Sequence, residues 1–95
     1  MSKFHLITPQ PCMRDINKAL GKVLVKYRNI AKISQEELAD RAGIHRTYVS
    51  QIERGLKSPT LTVLFEISEA LNTTTSNLIT EVEKEIDGLH NKSNI

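Results

Sequence analysis

The sequence predicts a small all-α domain of five helices, and three observations support this fold class. Apolar residues recur at intervals of three and four, which is the period of an amphipathic helix. Glycine, proline and capping residues divide this pattern into five segments, and no segment is predicted as a strand. The chain has 95 residues, near the lower limit for a self-sufficient apolar core, so we expect one compact domain.

The composition favours an intracellular protein without a metal or a cofactor. Cys12 is the only cysteine, so no intramolecular disulfide is possible, and no Cys/His cluster has zinc-ligand spacing. No apolar run reaches the roughly eighteen residues of a membrane span, and the N-terminus lacks the apolar core of a signal peptide. We therefore expect a cytoplasmic protein with no membrane contact, no cofactor and no small-molecule ligand.

Charge is distributed unevenly along the chain. Residues 1–58 contain eleven Lys/Arg and five Asp/Glu, whereas residues 59–95 contain two and six. A basic first part suggests a face for a polyanion and an acidic second part suggests a face for something else, although many solvated surfaces are equally lopsided. Charge alone does not establish nucleic-acid binding.

The N-terminal residues 1–14 are predicted to form an arm, because Pro9 and Pro11 disfavour a helix there. Whether this arm packs on its own chain or on a partner stays open. A first amphipathic helix is predicted to follow from about Asp15, a possible N-cap. Its apolar positions are Ile16, Leu20, Val23, Leu24, Tyr27 and Ala31.

The next two helices are predicted to be short. Ser34 and Glu37 have the spacing of a capping box, and Gly43 ends the segment that they begin. A third helix starts near His45 and ends at Gly55, where a left-handed conformation costs least.

Two further helices complete the domain, which is predicted to span residues 15–88. Thr60 or Ser58 caps the fourth helix. The fifth runs over about residues 76–87 and ends at Gly88, and residues 89–95 form a frayed tail. The core face of the fourth helix is predicted to be Leu61, Leu64, Phe65, Ile67 and Leu71.

Helices two and three have the pattern of a helix-turn-helix over residues 35–54. Ala39 is small where two crossing helices approach each other, and Gly43 in the turn can adopt a positive φ. The inward positions between and around them are all apolar: Leu38, Ala42, Ile44, Val49 and Ile52.

The segment SQEELADRAGIHRTYVSQIERG, followed by KSPTL and an apolar helix, resembles the XRE-type family of phage-repressor and Cro-like domains. The resemblance covers about residues 16–80, and the stretch RTYVSQIERG is most similar to controller proteins of restriction-modification systems. One departure is Lys32, where the family usually has glycine between the first two helices. The resemblance implies a repressor-like fold and a DNA-binding regulator. No enzymatic activity is expected, because no nucleophile motif, glycine-rich phosphate loop or paired acid constellation accompanies the Ser, His and Asp residues of the sequence.

The resemblance places the helix of about residues 45–54 in the major groove of double-stranded DNA. Arg46 can bond guanine O6 and N7 together, and Thr47 can contact a thymine methyl group. The alternative for Arg46 is a solvated arginine that only touches phosphate, and the alternative for Tyr48 is a half-buried structural ring. The candidate base-reading residues are Arg46, Thr47, Tyr48, Ser50 and Gln51.

Other residues are expected to hold the DNA backbone or the fold. Gln35 begins the second helix, where main-chain N–H groups can meet a phosphate, and its amide can also brace the third helix. His45 could cap the third helix or touch a phosphate. The resemblance pairs Glu53 with Arg28 in a buried or half-buried ion pair. The phosphate-contact candidates beyond the third helix are Arg54, Lys57 and Ser58, although an ordinary charged loop is an equal alternative.

A homodimer is expected, because one recognition helix reads only a few base pairs. Leu78, Val82 and Ile86 form an apolar stripe on the last helix that could meet a second copy; alternatively, they only complete the monomer core. The acidic residues around this stripe are expected to lie far from the basic face.

The sequence thus predicts a dimeric, sequence-specific regulator of transcription that binds an inverted-repeat operator. Two alternatives stay open: an antitoxin-type interaction module in which DNA binding is secondary, and a helical scaffold that has lost DNA binding.

Overall fold

Five helices joined by short connections make up residues 12–93, the part of the chain that this computed structural model describes. They are α1 (Met13–Ala31), α2 (Gln35–Ala42), α3 (Arg46–Glu53), α4 (Leu61–Ala70) and α5 (Thr75–Ser93). The predicted all-α fold class is confirmed. Most of the predicted arm, residues 1–11, lies outside the described residues, as do residues 94 and 95 of the tail.

The first helix begins earlier than the sequence predicted. Cys12 is its N-cap, so Met13 and Arg14 belong to α1 and Asp15 lies in the first turn rather than at the cap. A proline just before a helix does not prevent the helix from starting. Proline lacks an N–H group, but the N–H groups at the start of a helix have no partner within the helix in any case. In the first turn, the carboxylate of Asp15 is near the positive end of the helix dipole.

Side-chain caps fix where α2 and α4 begin. The Ser34 hydroxyl accepts a hydrogen bond from the Glu37 N–H at 3.0 Å, as predicted. The Glu37 carboxylate does not complete the capping box but accepts a bond from Arg41 Nε at 2.8 Å. Thr60, rather than Ser58, caps α4, because its hydroxyl accepts from the Val63 N–H at 3.2 Å. Each cap satisfies a donor that the helix itself cannot satisfy.

Two left-handed residues redirect the chain around α2. Gly43 ends this helix at φ 72°, as its place in the turn predicted. Lys32 ends α1 at φ 59°, and its N–H donates to the Asn29 carbonyl at 3.1 Å. A side chain in this conformation costs roughly 1 kcal/mol, so the lysine that stands at the family's glycine position carries a local strain.

All five helices contribute to one core. α1 packs against α3 and α5, α2 packs against α3 and α4, and α4 packs against α5. The largest side chains without solvent contact come from every helix and are Leu24, Leu38, Val49, Ile52, Ile67 and Leu78.

The predicted core face of α4 is only partly correct. Leu64, Ile67 and Leu71 are buried, but Leu61 and Phe65 are 67% and 57% exposed. The structure buries Ser68 in their place, and its hydroxyl donates to the Leu64 carbonyl at 2.8 Å. Neighbouring helices cover a stripe centred on Leu64 and Ile67, so Leu61 and Phe65 lie beyond its edge.

The last helix is longer than predicted. α5 continues through Gly88 to Ser93, because a helical glycine costs only about 1 kcal/mol and no proline follows. Leu78 and Val82 are 0% and 5% exposed in the core of their own chain. The structure therefore does not support these two residues as subunit contacts, since they have almost no surface left to offer. Ile86 is half-buried against the same core.

Candidate nucleic-acid interface

Helices α2 and α3 form a rigid pair. Leu38 and Ala39 on α2 and Val49 and Ile52 on α3 are all buried where the helices meet. The turn between them is held by a hydrogen bond from the Ile44 N–H to the Ala39 carbonyl at 2.9 Å. These contacts hold one side of α3 against the rest of the protein, so its opposite side faces solvent.

The outward side of α3 carries the residues that the sequence selected as base readers. Arg46 and Thr47 are exposed at its first turn, and Ser50 and Gln51 follow on the same side with partial exposure. The helical period places these four residues on one continuous face, opposite Val49 and Ile52. We call the four residues the α3 face. Its guanidinium, hydroxyl and amide groups are the groups that bond base edges.

Tyr48 and His45 lie next to these residues in the sequence and differ in burial. The Tyr48 ring is half-buried and packs against the core at the border of the α3 face. His45 is the N-cap of α3, but its side chain makes no capping hydrogen bond and is exposed. Part of Tyr48 therefore has a structural role, whereas the imidazole of His45 faces solvent.

A network of charged and amide groups braces α3 from behind. Arg28 of α1 donates to both carboxylate oxygens of Glu53, with Nε–Oε2 2.8 Å and Nη2–Oε1 3.2 Å. Gln35 Nε2 also donates to Glu53 Oε1, at 2.8 Å. The third donor of Arg28, Nη1, bonds the Ile33 carbonyl at 2.9 Å. The Glu53 side chain is only 3% exposed, so its charge is neutralised away from solvent.

This network also defines what Gln35 does. The sequence analysis gave two alternatives for Gln35, a contact with a phosphate or a contact that supports α3. In the structure, one amide N–H is engaged by Glu53, so the side chain ties the start of α2 to the end of α3. The main-chain N–H groups of the first turn of α2 are still the groups suited to a phosphate.

Gly21 on α1 sets how closely α3 can approach, and the sequence analysis missed it. A Cβ atom at this position would lie 2.4 Å from the Glu53 carbonyl oxygen and 2.9 Å from that of Ile52. Only glycine lets the α1 backbone lie against the C-terminal end of α3. A glycine inside an otherwise regular helical pattern, with no cap or turn to explain it, was the available signal.

Positive charge surrounds the end of α3. Arg54, Lys57 and Ser58 are exposed in the connection to α4. Arg46, Arg54 and Lys57 make no ion pair with any other residue in the described range. These cations are thus available to a polyanion beside the α3 face.

Two acidic residues of the last helix lie beside lysines from the basic first part of the chain. Glu85 lies 3.7 Å from Lys22, and Glu81 lies 3.9 Å from Lys26, so α5 neutralises two lysines of α1. Both contacts join helices that already pack together. The cations near the α3 face are therefore a smaller set than the count along the chain suggested.

These features together define a helix-turn-helix DNA-binding domain: a short helix pair with a glycine turn, an exposed polar face on its second helix, and cations beside that face that make no ion pair within residues 12–93. Among residues 12–93, no helix has the length and hydropathy needed to cross a membrane.

Comparison with known proteins assigns the family. Residues 24–78 match the model of the HTH_3 helix-turn-helix family, and the chain belongs to this XRE-type family of DNA-binding transcription regulators. The similarity extends to restriction-modification controllers. Control protein C.SmaI of Serratia marcescens is 42% identical over 69 residues, which cover 73% of this chain and 82% of that protein. Control protein C.MunI of a Mycoplasma species is 39% identical over 74 residues, which cover 77% of this chain and 100% of that protein.

A solved structure agrees with these relatives. The restriction-modification controller protein C.Esp1396I, crystallised as a tetramer in complex with its natural 35-base-pair operator, superposes with a TM-score of 0.68. It is 30% identical, and the match covers 75% of this chain and 93% of that one. The resemblance to controller proteins that the sequence suggested is confirmed.

Proposed function

We propose that this protein is a sequence-specific regulator of transcription that binds an inverted-repeat operator as a homodimer, and that it is a controller of a restriction-modification system. The observation that carries the proposal is the α3 face, where Arg46 and Thr47 are exposed at the start of a helix held rigidly from behind. Its similarity to control proteins C.SmaI and C.MunI supports the controller role.

In this proposal α3 lies in the major groove and its face reads base edges. The fork of donors on Arg46 suits guanine O6 and N7, and such a bidentate pair contributes roughly 1–3 kcal/mol of discrimination. Thr47 supplies a methyl and a hydroxyl group, while Ser50 and Gln51 supply short hydrogen-bonding groups further along. Tyr48 uses its hydroxyl and ring edge at the groove wall, because the rest of its ring is in the core.

Backbone contacts fix the register. Arg54, Lys57 and Ser58 hold phosphates beyond the end of α3, His45 lies at its beginning, and the first turn of α2 at Gln35 offers N–H groups to another phosphate. These contacts carry no sequence information but supply most of the salt-dependent affinity. Their position on both ends of α3 would hold the helix along the groove.

The experiment that tests this function is a titration of the full chain with duplex DNA from upstream of its own gene and with a scrambled duplex, at several salt concentrations. We expect preference for the upstream duplex, weaker binding as salt increases, and two copies of the protein per inverted repeat. Equal affinity for both duplexes at every salt concentration would overturn the proposal of sequence-specific binding.

A further inference from the structure

A cleft of about 280 Å³ lies between α1 and the end of α3, and three exposed cations line it. They are Lys18 and Lys22 of α1 and Arg54, the residue that follows α3. Neither Lys18 nor Arg54 makes an ion pair with another residue of the range 12–93. One water molecule needs only about 10–15 Å³ of such space, so the cleft has room for a small hydrated anion. We call it the α1–α3 cleft.

Glu53 also lines the cleft, but its carboxylate does not offset these cations. The Glu53 side chain is 3% exposed, and it accepts hydrogen bonds from Arg28 and Gln35, each at 2.8 Å. The part of Glu53 that lies against α1 is its main chain, because a Cβ atom at Gly21 would lie 2.4 Å from its carbonyl oxygen. The charge of the cleft is therefore positive.

Lys22 is the one cation of the cleft with an acidic neighbour on α5. Its Nζ lies 3.7 Å from Glu85 Oε2, which is beyond hydrogen-bond distance, and the two side chains are 62% and 38% exposed. An exposed pair of this kind is weak and is screened by salt, so the three donors of the ammonium can turn to an anion. Lys18 and Lys22 are four residues apart on one face of α1, where like charges repel. An anion between them would relieve that repulsion.

Gly55 fixes the place of Lys18 relative to α3. A Cβ atom at Gly55 would lie 3.3 Å from the Lys18 Cα atom and 3.2 Å from its Cγ atom. Gly55 follows Arg54 directly, so Lys18 packs beside the segment that carries the third cation of the cleft. Close packing of α1 against the end of α3 thus brings together cations from two distant segments of the chain.

The α1–α3 cleft lies at the end of α3 opposite to Arg46. This helix has eight residues and is therefore about 12 Å long. The major groove is about 8.5 Å deep, so when Arg46 meets base edges, the other end of α3 lies at the level of the sugar–phosphate backbone. The anion next to the cleft in this arrangement is a phosphate of the DNA.

We infer that the α1–α3 cleft binds a backbone phosphate of the bound duplex, through Lys18, Lys22 and Arg54. This inference rests on the DNA binding of the proposed function and adds to it a contact from α1, which the sequence analysis did not select. Such a contact positions the protein on the duplex and reads no sequence. One phosphate held there adds one step of counterion release and so increases the salt dependence of binding.

The test compares two double variants of the full chain in duplex titrations between about 50 and 200 mM salt. Lys18→Ala/Lys22→Ala removes the two α1 cations of the cleft. The control, Lys26→Ala/Lys84→Ala, removes two exposed lysines that pair with Glu81 of α5 and do not line the cleft. Net charge falls equally in both, and Lys26 is 63% exposed, against 62% for Lys22.

We expect the cleft variant to lower the slope of log affinity against log salt by about 0.9, the value for one phosphate. Relative to wild type, this slope corresponds to a loss of affinity about five-fold larger at 0.15 M than at 1 M salt. The loss should be the same on the upstream and the scrambled duplex, and the control should keep the wild-type slope. An unchanged slope in the cleft variant, or equal decreases in both variants, would overturn the inference.

Duplexes with a single neutral methylphosphonate linkage locate the contact. At one position in each half-site, the modification should weaken binding of wild type but not of Lys18→Ala/Lys22→Ala, because both changes remove the same contact. Free phosphate is the other source of this chemistry. Amide NMR shifts at Lys18 and Gly55 on addition of inorganic phosphate, with DNA slopes unchanged in the variants, would assign the cleft to a free phosphate compound and overturn the DNA contact.

The same titrations separate this inference from the proposed function. A reduced slope in the cleft variant, on two duplexes that wild type binds equally, would support the phosphate contact and refute operator recognition. Preference of wild type for the upstream duplex, with the same slope in all three proteins, would do the reverse.

Discussion

The substitution Gly21→Ala tests whether α1 directly supports the DNA-reading helix. The new Cβ atom would lie 2.4 Å from the Glu53 carbonyl oxygen, whereas close C···O contacts in proteins are about 3.3–3.6 Å. One of the two helices must therefore move by about 1 Å. Overpacking of this kind costs about 1–3 kcal/mol.

The same substitution at Gly88 provides a matched control. Gly88 is also inside a helix, but a Cβ atom there would meet nothing within 4 Å. Both variants gain up to about 1 kcal/mol from replacing a helical glycine by alanine. The difference between their free energies of unfolding therefore isolates the contact with α3, and we expect Gly21→Ala to be less stable than Gly88→Ala by about 1–3 kcal/mol.

Urea denaturation followed by far-ultraviolet circular dichroism measures this difference. A displaced α3 also changes the position of the α3 face, so we expect Gly21→Ala to lose operator preference while its salt-dependent binding to any duplex persists. Equal stabilisation by the two substitutions, with unchanged operator preference in both, would refute the argument that the α1 backbone sets the position of α3.

Three further predictions concern the brace, the left-handed lysine and the phosphate contacts. Glu53→Ala leaves Arg28 without its carboxylate behind α3 and should reduce the free energy of unfolding by about 3–5 kcal/mol; a loss below about 1 kcal/mol in chemical denaturation would contradict a buried pair. Lys32→Gly relieves the side-chain strain at φ 59° and should raise the melting temperature by about 4–8 °C, unless the residue is unstrained, in which case the temperature falls or stays the same. Lys57→Ala should weaken binding to all duplexes alike and lower the slope of log affinity against log salt by about one; a change confined to one sequence would instead make Lys57 a base reader.

The sequence predicted best the features that depend on neighbouring residues. Ser34 and Thr60 act as caps because a hydroxyl reaches an N–H three residues on, which is a local property. Gly43 takes the left-handed conformation that its position in the turn requires. The first-helix start was misjudged because a proline nearby weakens a helix in its interior but not just before its N-terminus.

Features that depend on packing between distant segments were harder to predict. Periodicity gives the direction of an apolar stripe but not its edges, so Leu61 and Phe65 were assigned to the core although both are largely exposed. The α5 helix continues through Gly88 because nothing after it stops a helix. The pairing of Arg28 with Glu53 spans 25 residues and came from the family resemblance, not from local pattern.

The charge distribution also depends on packing between distant segments. Counting along the chain separated a basic part from an acidic part, but the fold brings Lys22 and Glu85 to 3.7 Å from each other. Electrostatic partners are set by which helices pack together. The cations left for DNA are identified only once those contacts are known.

The most direct measurement of the central claim is a base-substitution scan of the operator with wild type and Arg46→Ala, with Lys84→Ala as control. Lys84 is an exposed cation on α5, so its removal changes net charge equally without touching the α3 face. We expect that replacing one G·C pair in each half-site lowers the binding free energy of wild type by about 1–3 kcal/mol. Arg46→Ala should bind all bases at that position equally well and keep its preferences at the other positions. If Arg46→Ala instead binds every sequence more weakly by the same factor and keeps all its base preferences, base reading by Arg46 on α3 is contradicted. Arg46 would then contact only phosphate.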